Sequence, residues 1–215
     1  MTKKKIGVLI SGGGSNLQAL IDACASPDYP AEIAVVISNQ ESAYGLNRAR
    51  ERDIPAHIIS HKDHASRRAF DDAMQDMLER HSVEIVCLAG FMRLLSREFV
   101  ARWPDKLLNI HPSLLPAFKG TRAHEEVIAS GVRFSGCTVH FVRPEMDKGP
   151  IIIQAAVPVL PDDTHETLAA RVLGQEHICY PLALCWLAEG RLVIEHEKVT
   201  VRGAKSSAQA IRNPS

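Results

Sequence analysis

Short, almost unbroken apolar runs alternate with amphipathic stretches through the first half of the chain, and this restricts the fold more than any other feature. The runs cover residues 6–10, 33–38, 57–59, 84–89 and 107–110; the segments between them read as helices over about 15–25, on through Arg48, and over about 65–80. A strand that is apolar along its whole length is buried on both faces. The pattern therefore predicts a doubly wound α/β fold, a mostly parallel sheet with helices on both faces. Right-handed crossovers place every loop that follows a strand on one edge of such a sheet, where ligands bind. Beyond Gly136 the pattern changes. Residues 137–142 and 151–159 alternate apolar and polar about a turn-like segment at 143–150, which predicts an antiparallel strand pair in the C-terminal half. A helix over about 164–188 follows, capped by Thr164 and with Glu166 and Glu176 on its polar side. Residues 191–201 read as an edge strand and 204–215 as a polar tail. With no repeat or linker, one domain over 1–203 is expected.

The 215 residues can bury a substantial core, and 25 basic against 25 acidic side chains leave no net field favouring nucleic acid or a membrane surface. No apolar run approaches the roughly 18 residues of a membrane span. The lead-in Thr2-Lys3-Lys4-Lys5 meets too few apolar residues for a secretory signal. Five cysteines, an odd number with no CxxC pair, read as small buried hydrophobes in a reducing cytoplasm.

The run Asn109-Ile110-His111-Pro112-Ser113-Leu114-Leu115-Pro116, answered downstream by Asp147-Lys148-Gly149-Pro150, carries the most chemistry. Asn109 and His111 alternate about Ile110 at the end of a short strand, and two prolines bar a helix after it. An amide donor, an imidazole and a carboxylate are the groups needed when a carbonyl is attacked and charge builds on its oxygen. A Pro-rich crossover loop whose histidine caps something locally is the alternative.

Between strand and helix, Ser11-Gly12-Gly13-Gly14-Ser15-Asn16 offers backbone N–H groups at a helix start, suited to an anion. A dinucleotide fingerprint needs glycine where Leu17 stands and an acid where Ser38-Asn39 stands, and a Walker loop needs a Gly-Lys-Ser/Thr ending. A monophosphate site fits better; an ordinary tight turn would also produce the pattern. Ala89-Gly90-Phe91-Met92-Arg93-Leu94-Leu95 could hold a flat heterocycle through exposed main chain between apolar side chains, or could equally begin a buried helix. His61-Lys62-Asp63-His64 has close spacing but no further ligand cluster nearby in sequence, so a polar surface loop is preferred to zinc.

These residues meet a family. Over residues 6 to about 193 the chain resembles the glycinamide ribonucleotide formyltransferases of purine biosynthesis. The resemblance runs through the stretches 10–18, 88–93, 108–116, Val139-His140-Phe141-Val142, Asp147-Lys148-Gly149-Pro150 and Gln175-Glu176-His177. The central motif is common to enzymes that handle 10-formyltetrahydrofolate on this fold, and Ser11-Gly12-Gly13-Gly14-Ser15-Asn16-Leu17-Gln18 singles out the ribonucleotide enzyme. Two departures are small: Gly13 stands where the family varies, and Leu173 stands one turn before Glu176 where a polar residue can occur, which touches part of the ribosyl contact.

The resemblance implies the formyltransferase fold and direct attack of the glycinamide amine on the formyl carbon of 10-formyltetrahydrofolate, with no metal and no covalent enzyme intermediate. It implies that Asn109 donates to the formyl oxygen, that His111 handles protons or stabilises the oxyanion, and that Asp147 orients His111. It assigns Gly14, Ser15, Asn16, Leu17, Gln18 and Glu176 to the ribonucleotide. To the folate it assigns Arg67, Met92, Arg93, Leu94, Leu95, Asn109, Arg143 and Asp147, with adjacent Arg68 competing for the glutamate tail. Small-molecule substrates, no nucleic acid or membrane partner, a monomer or weak homodimer, and a cytoplasmic setting are expected. A 10-formyltetrahydrofolate hydrolase would be expected to lack the phosphate loop and to carry a preceding regulatory domain. A methionyl-tRNA formyltransferase would need a nucleic-acid-binding domain after residue 193.

Overall fold

A computed structural model describes residues 2–204 and 212–213. The chain enters as β1 (Lys4–Ile10), α1 (Ser15–Cys24), β2 (Ala31–Ser38), α2 (Gly45–Arg50) and β3 (Ala56–Ile58). A 3-10 turn at His61–Asp63 leads to α3 (Arg67–Arg80), β4 (Ile85–Leu88), α4 (Arg97–Arg102) and β5 (Leu107–His111). Next come α5 (Ala123–Ser130), β6 (Phe134–Phe141), β7 (Ile151–Pro158), α6 (His165–Ala188) and the hairpin β8 (Leu192–Glu195) with β9 (Lys198–Val201).

Seven strands form one sheet in the order β3-β2-β1-β4-β5-β6-β7. β1 to β5 run parallel, and β5, β6 and β7 pair antiparallel. The doubly wound, mostly parallel sheet and its antiparallel C-terminal pair are as the sequence predicts. Period-2 alternation divides the side chains between two cores. From β1, Ile6, Val8 and Ile10 enter the layer under α1, α2, α5 and α6, and Leu9 enters the layer under α3 and α4. α3 shows why the second layer holds. Ser66 caps it by accepting the Ala69 N–H at 3.1 Å, and Phe70, Met74 and Leu78 recur every four residues on its buried face. Each such side chain contributes about 1.5–3 kcal/mol on burial. α6 starts with a reciprocal Thr164/Thr167 cap, in agreement with the assignment of Thr164.

Four sequence expectations need correction. Residues 191–201 are not an edge strand of the main sheet; β8 and β9 form a separate two-stranded sheet. The chain reverses at His196 and Glu197, both left-handed (φ 50° and 58°), without the glycine that normally marks such a turn. Glu176 is buried, on the same side of α6 as Val172, Cys179 and Tyr180, and not on a polar face. Cys24 and Cys185 are half-buried, whereas Cys87, Cys137 and Cys179 are interior; all five are free. His61 and His64 are half-buried beside the ring of Phe70, not simply surface residues. Most of the expected tail at 204–215 lies outside the described residues, although Asn213 donates to the carbonyls of Arg133 and Val159 at 2.7 and 3.2 Å. Among the described residues no helix is long and apolar enough to cross a membrane.

Candidate active site

Asn109 and His111 sit two residues apart on β5 and so project to the same side. Asp147 reaches them from the loop between β6 and β7, and not from the end of a parallel strand. The His111 ring is buried, hydrogen-bonded through one nitrogen and faced by a carboxylate at the other. Nε2–H donates to the Phe118 carbonyl at 2.9 Å, and Nδ1 lies 3.8 Å from Asp147 Oδ2. That second separation is an ion-pair distance, too long for a direct hydrogen bond. The Phe118 carbonyl therefore fixes the ring plane, and the carboxylate stands where a positive charge on the imidazole would be stabilised. Asp147 is itself anchored: Oδ2 accepts the Gly120 N–H at 3.1 Å, and its backbone is left-handed (φ 53°).

The loop that supplies Phe118 and Gly120 is braced from below. Thr138 Oγ1 donates to the Ser113 carbonyl at 2.7 Å and accepts the Leu115 N–H at 3.1 Å. Gln154 donates to that same hydroxyl at 2.9 Å and to the Leu115 carbonyl at 3.0 Å. Ser113 and Thr138 are fully buried, so the bonds are formed away from competing water. The Leu115–Pro116 peptide is cis.

His140, absent from the sequence-derived site, orients Asn109. Its Nδ1–H donates to the Phe141 carbonyl at 2.9 Å, so neutral Nε2 accepts from Asn109 Nδ2 at 3.2 Å. Burial pushes this imidazole below its ordinary range, which keeps it an acceptor. One amide hydrogen of Asn109 is thus held by His140, and the other is left to donate.

A cavity of about 410 Å3 opens beside these groups. Gly90 to Leu95 form one wall and Val142 to Asp147 another, with Leu88, Ile110 and His140 on the floor side. Met92, Arg93, Leu94, Leu95, Asn109, Arg143 and Asp147 all line it, and the 89–95 segment is a loop, not a helix start. Met92 and Leu94 are 66% and 58% exposed and give this wall an apolar face. Arg67 is not in the lining. It is exposed at the first turn of α3, four residues before Asp71, whose Oδ2 accepts the Ser96 N–H at 2.8 Å just past that wall. Arg68 approaches Asp72 at 3.8 Å.

The glycine loop leads from the end of β1 into α1. Gly14 is left-handed (φ 72°), and a Cβ there would come within 2.7 Å of the Gly45 Cα, so the loop packs main chain against α2. The Gln18 N–H closes the first turn on Gly14 O at 2.9 Å, leaving the amides of Ser15, Asn16 and Leu17 without an acceptor inside the helix. The Leu17 side chain is in the core, so only its amide is available. The Gln18 side chain is already engaged, accepting from Arg48 Nη1 at 3.1 Å and donating to Asp22 at 2.9 Å. Arg48, which sequence reasoning did not single out, also donates from Nε to Gly13 O at 2.9 Å and brings positive charge to the loop. Asn16 Nδ2 donates to Glu176 Oε2 at 2.6 Å across 160 residues of chain. Burial pushes the Glu176 carboxyl above its usual range, and Asn16 offsets part of that. Asn16 Oδ1 and His177 Nε2 are buried without a hydrogen-bond partner.

Ser11 connects the two regions. Its hydroxyl donates to Asn39 Oδ1 at 2.6 Å and accepts the Met92 N–H at 2.8 Å, and its own N–H donates to Gly90 O at 3.1 Å. Among the described residues no three His, Cys, Asp or Glu side chains group as a metal site.

Comparison with known proteins gives this geometry its context. A family model described as formyl transferase matches residues 4–184. The chain is 54% identical over 188 residues to the trifunctional purine biosynthetic protein adenosine-3 of Bos taurus, covering 87% of this chain and 19% of that protein. It thus spans about a fifth of the length of that trifunctional relative. It is 48% identical to phosphoribosylglycinamide formyltransferase of Haemophilus influenzae, over 88% of this chain and 89% of that protein. Among solved structures, glycinamide ribonucleotide transformylase 1 of Symbiobacterium toebii matches with a TM-score of 0.91 and 50% identity, over 93% of this chain and 94% of that one.

Proposed function

The chain belongs to the formyl transferase family, and from that premise we propose that it transfers the formyl group of 10-formyltetrahydrofolate to the amine of glycinamide ribonucleotide. The products are formylglycinamide ribonucleotide and tetrahydrofolate, a step of de novo purine synthesis. We take residues 1–203 as a single domain acting in the cytoplasm, as a monomer or weak homodimer, on small molecules alone. The observation that carries this reading is the adjacency of two unlike sites. An anion-suited loop with a buried carboxylate behind it, and an apolar cavity with exposed main chain, are joined by Ser11 and flank Asn109, His111 and Asp147.

The ribonucleotide phosphate fits the amides of Ser15, Asn16 and Leu17 with Arg48 beside them, and Glu176 suits the ribose hydroxyls because a carboxylate accepts O–H donors well. The folate enters the cavity with its heterocycle against the main chain of 90–95 and 143–147. Its glutamate tail extends toward the first turn of α3 and Arg67. The neutral amine then attacks the formyl carbon. A new carbon–nitrogen bond forms, and the carbonyl electrons move to oxygen, where Asn109 Nδ2–H and the His111 ring stabilise them. Collapse breaks the bond to the folate nitrogen, which takes up a proton as the attacking nitrogen gives one up, so no net proton is consumed. Acid–base help of about 10²–10⁴ and one oxyanion donor of about 10²–10³ leave much of the acceleration to the positioning of the two substrates.

The test is to incubate the protein with 10-formyltetrahydrofolate, with and without glycinamide ribonucleotide, and follow deformylation. Formyl loss that requires the ribonucleotide, with formylated product recovered, supports the transferase. Equal loss in its absence overturns it in favour of a hydrolase.

A further inference from the structure

The hairpin of β8 and β9 lies beyond residue 184, where the family match ends, yet its turn reaches the rim of the cavity. Glu197 in that turn takes the Arg143 guanidinium edge-on, accepting from Nε at 2.9 Å and from Nη2 at 3.3 Å. Asp105, just ahead of β5, accepts from the same Nη2 at 2.7 Å, and Nη1 points back to the Val142 carbonyl at 3.4 Å. Every guanidinium nitrogen of Arg143 is therefore used within the protein. The guanidinium of Arg143, a residue that the resemblance assigns to the folate, has no free fork to offer it.

The exposures show which group is fixed. The Arg143 side chain is 21% exposed, against 52% and 62% for Asp105 and Glu197, so two surface anions close over a mostly enclosed cation. Both anions stand on left-handed backbone (φ 55° and 58°), a conformation that a non-glycine residue keeps only where its surroundings hold it. The Arg143 stem passes within 3.3 Å of the place a Cβ on Gly149 would occupy, so it packs inside the 142–149 loop. That loop walls the cavity and ends in the segment carrying Asp147.

We propose that Glu197 and Asp105 are positioning residues for the folate. They lock Arg143, and Arg143 holds the main chain of 143–147 in the shape the cavity requires. This deepens the function given above and rests on it. Asp147 has a second anchor in the Gly120 N–H, so the clamp acts on folate binding more than on the chemical step.

The test compares Glu197→Gln, Arg143→Met and the double variant. Glu197→Gln and Arg143→Met should each raise the folate KM about threefold to tenfold, with the ribonucleotide KM unmoved, and the double variant should do no worse than Arg143→Met alone. Added salt should lift the wild-type folate KM toward that of Glu197→Gln, which should itself respond weakly. Independently of turnover, hydrogen exchange at the Met146 and Asp147 amides should quicken in Glu197→Gln while the β1 amides stay protected. A folate KM and exchange pattern in Glu197→Gln equal to wild type overturns the proposal. So does a double variant whose effect is the product of the singles, since Arg143 would then act on folate without Glu197. A wild-type protein inert toward both substrates would overturn the function and not the clamp, which hydrogen exchange still reads.

Discussion

His111 is held by one carbonyl and faced by one carboxylate, so its replacement should cost chemistry and little else. His111→Ala is expected to lower kcat by about 10²–10⁴ while the affinity for tetrahydrofolate changes little; a variant with wild-type turnover would remove the ring from the mechanism. Asn109, His111 and Asp147 were legible in the sequence because each falls within three residues of a proline or glycine, where apolar runs give way to turn-like segments. His140 was not. It lies between Val139 and Phe141, both fully buried, and is itself buried, so in a linear reading it looks like one more interior position of β6. Its role becomes visible only when the register sets it opposite Asn109. Arg48 was hidden for a related reason: an arginine near a helix end reads as solvated surface until the fold lays α2 against the glycine loop.

At the scale of elements, the glycine loop makes a sharp comparison between neighbours. Gly14→Ala forces a side chain onto left-handed backbone and against the Gly45 Cα, whereas a Cβ at Gly13 would meet nothing within 4 Å. Gly14→Ala should therefore lose at least about 1–2 kcal/mol, a fall of roughly 2–8 °C in Tm for a chain of this size, and should raise the ribonucleotide KM. Gly13→Ala should keep the parental Tm. Equal melting of the two variants would show that the loop relaxes and that its tight packing against α2 is dispensable. The strands and long helices of the fold were readable from period and length. α4 and α5 were not: six and eight residues give too few turns to establish a helical period, and neither shows the clear alternation with strand-like runs that marked the equally short α2. The hairpin was missed because His196 and Glu197 take a turn geometry that sequence reasoning reserves for glycine and asparagine.

For the molecule as a whole, the buried Glu176 makes stability depend on pH. Its folded-state pKa is raised above the ordinary 4.5, so the folded protein keeps a proton that the unfolded chain has released. Its favourable contribution is complete below the ordinary value and is lost as pH rises through the raised one. Glu176→Gln cannot ionise and escapes that loss. Its Tm relative to wild type should climb as pH is taken upward from 4.5 and level off above the raised pKa, even as ribonucleotide affinity falls. A Tm difference that is flat with pH would mean that the carboxylate is ionised at little cost. The contacts that set the reacting groups have a different consequence. The carbonyl of Phe118 holds His111, the amide of Gly120 holds Asp147, the carbonyl of Phe141 sets the tautomer of His140, and the amide of Met92 ties the cavity wall to Ser11. Short of proline, which lacks the N–H, no side-chain substitution deletes a peptide hydrogen-bonding group. Alanine substitution across residues 118–120 would therefore leave these hydrogen-bonding groups in place, and its cost would report the packing of Phe118 and the left-handed backbone of Gly120 (φ 85°), not the loss of the groups that hold His111 and Asp147.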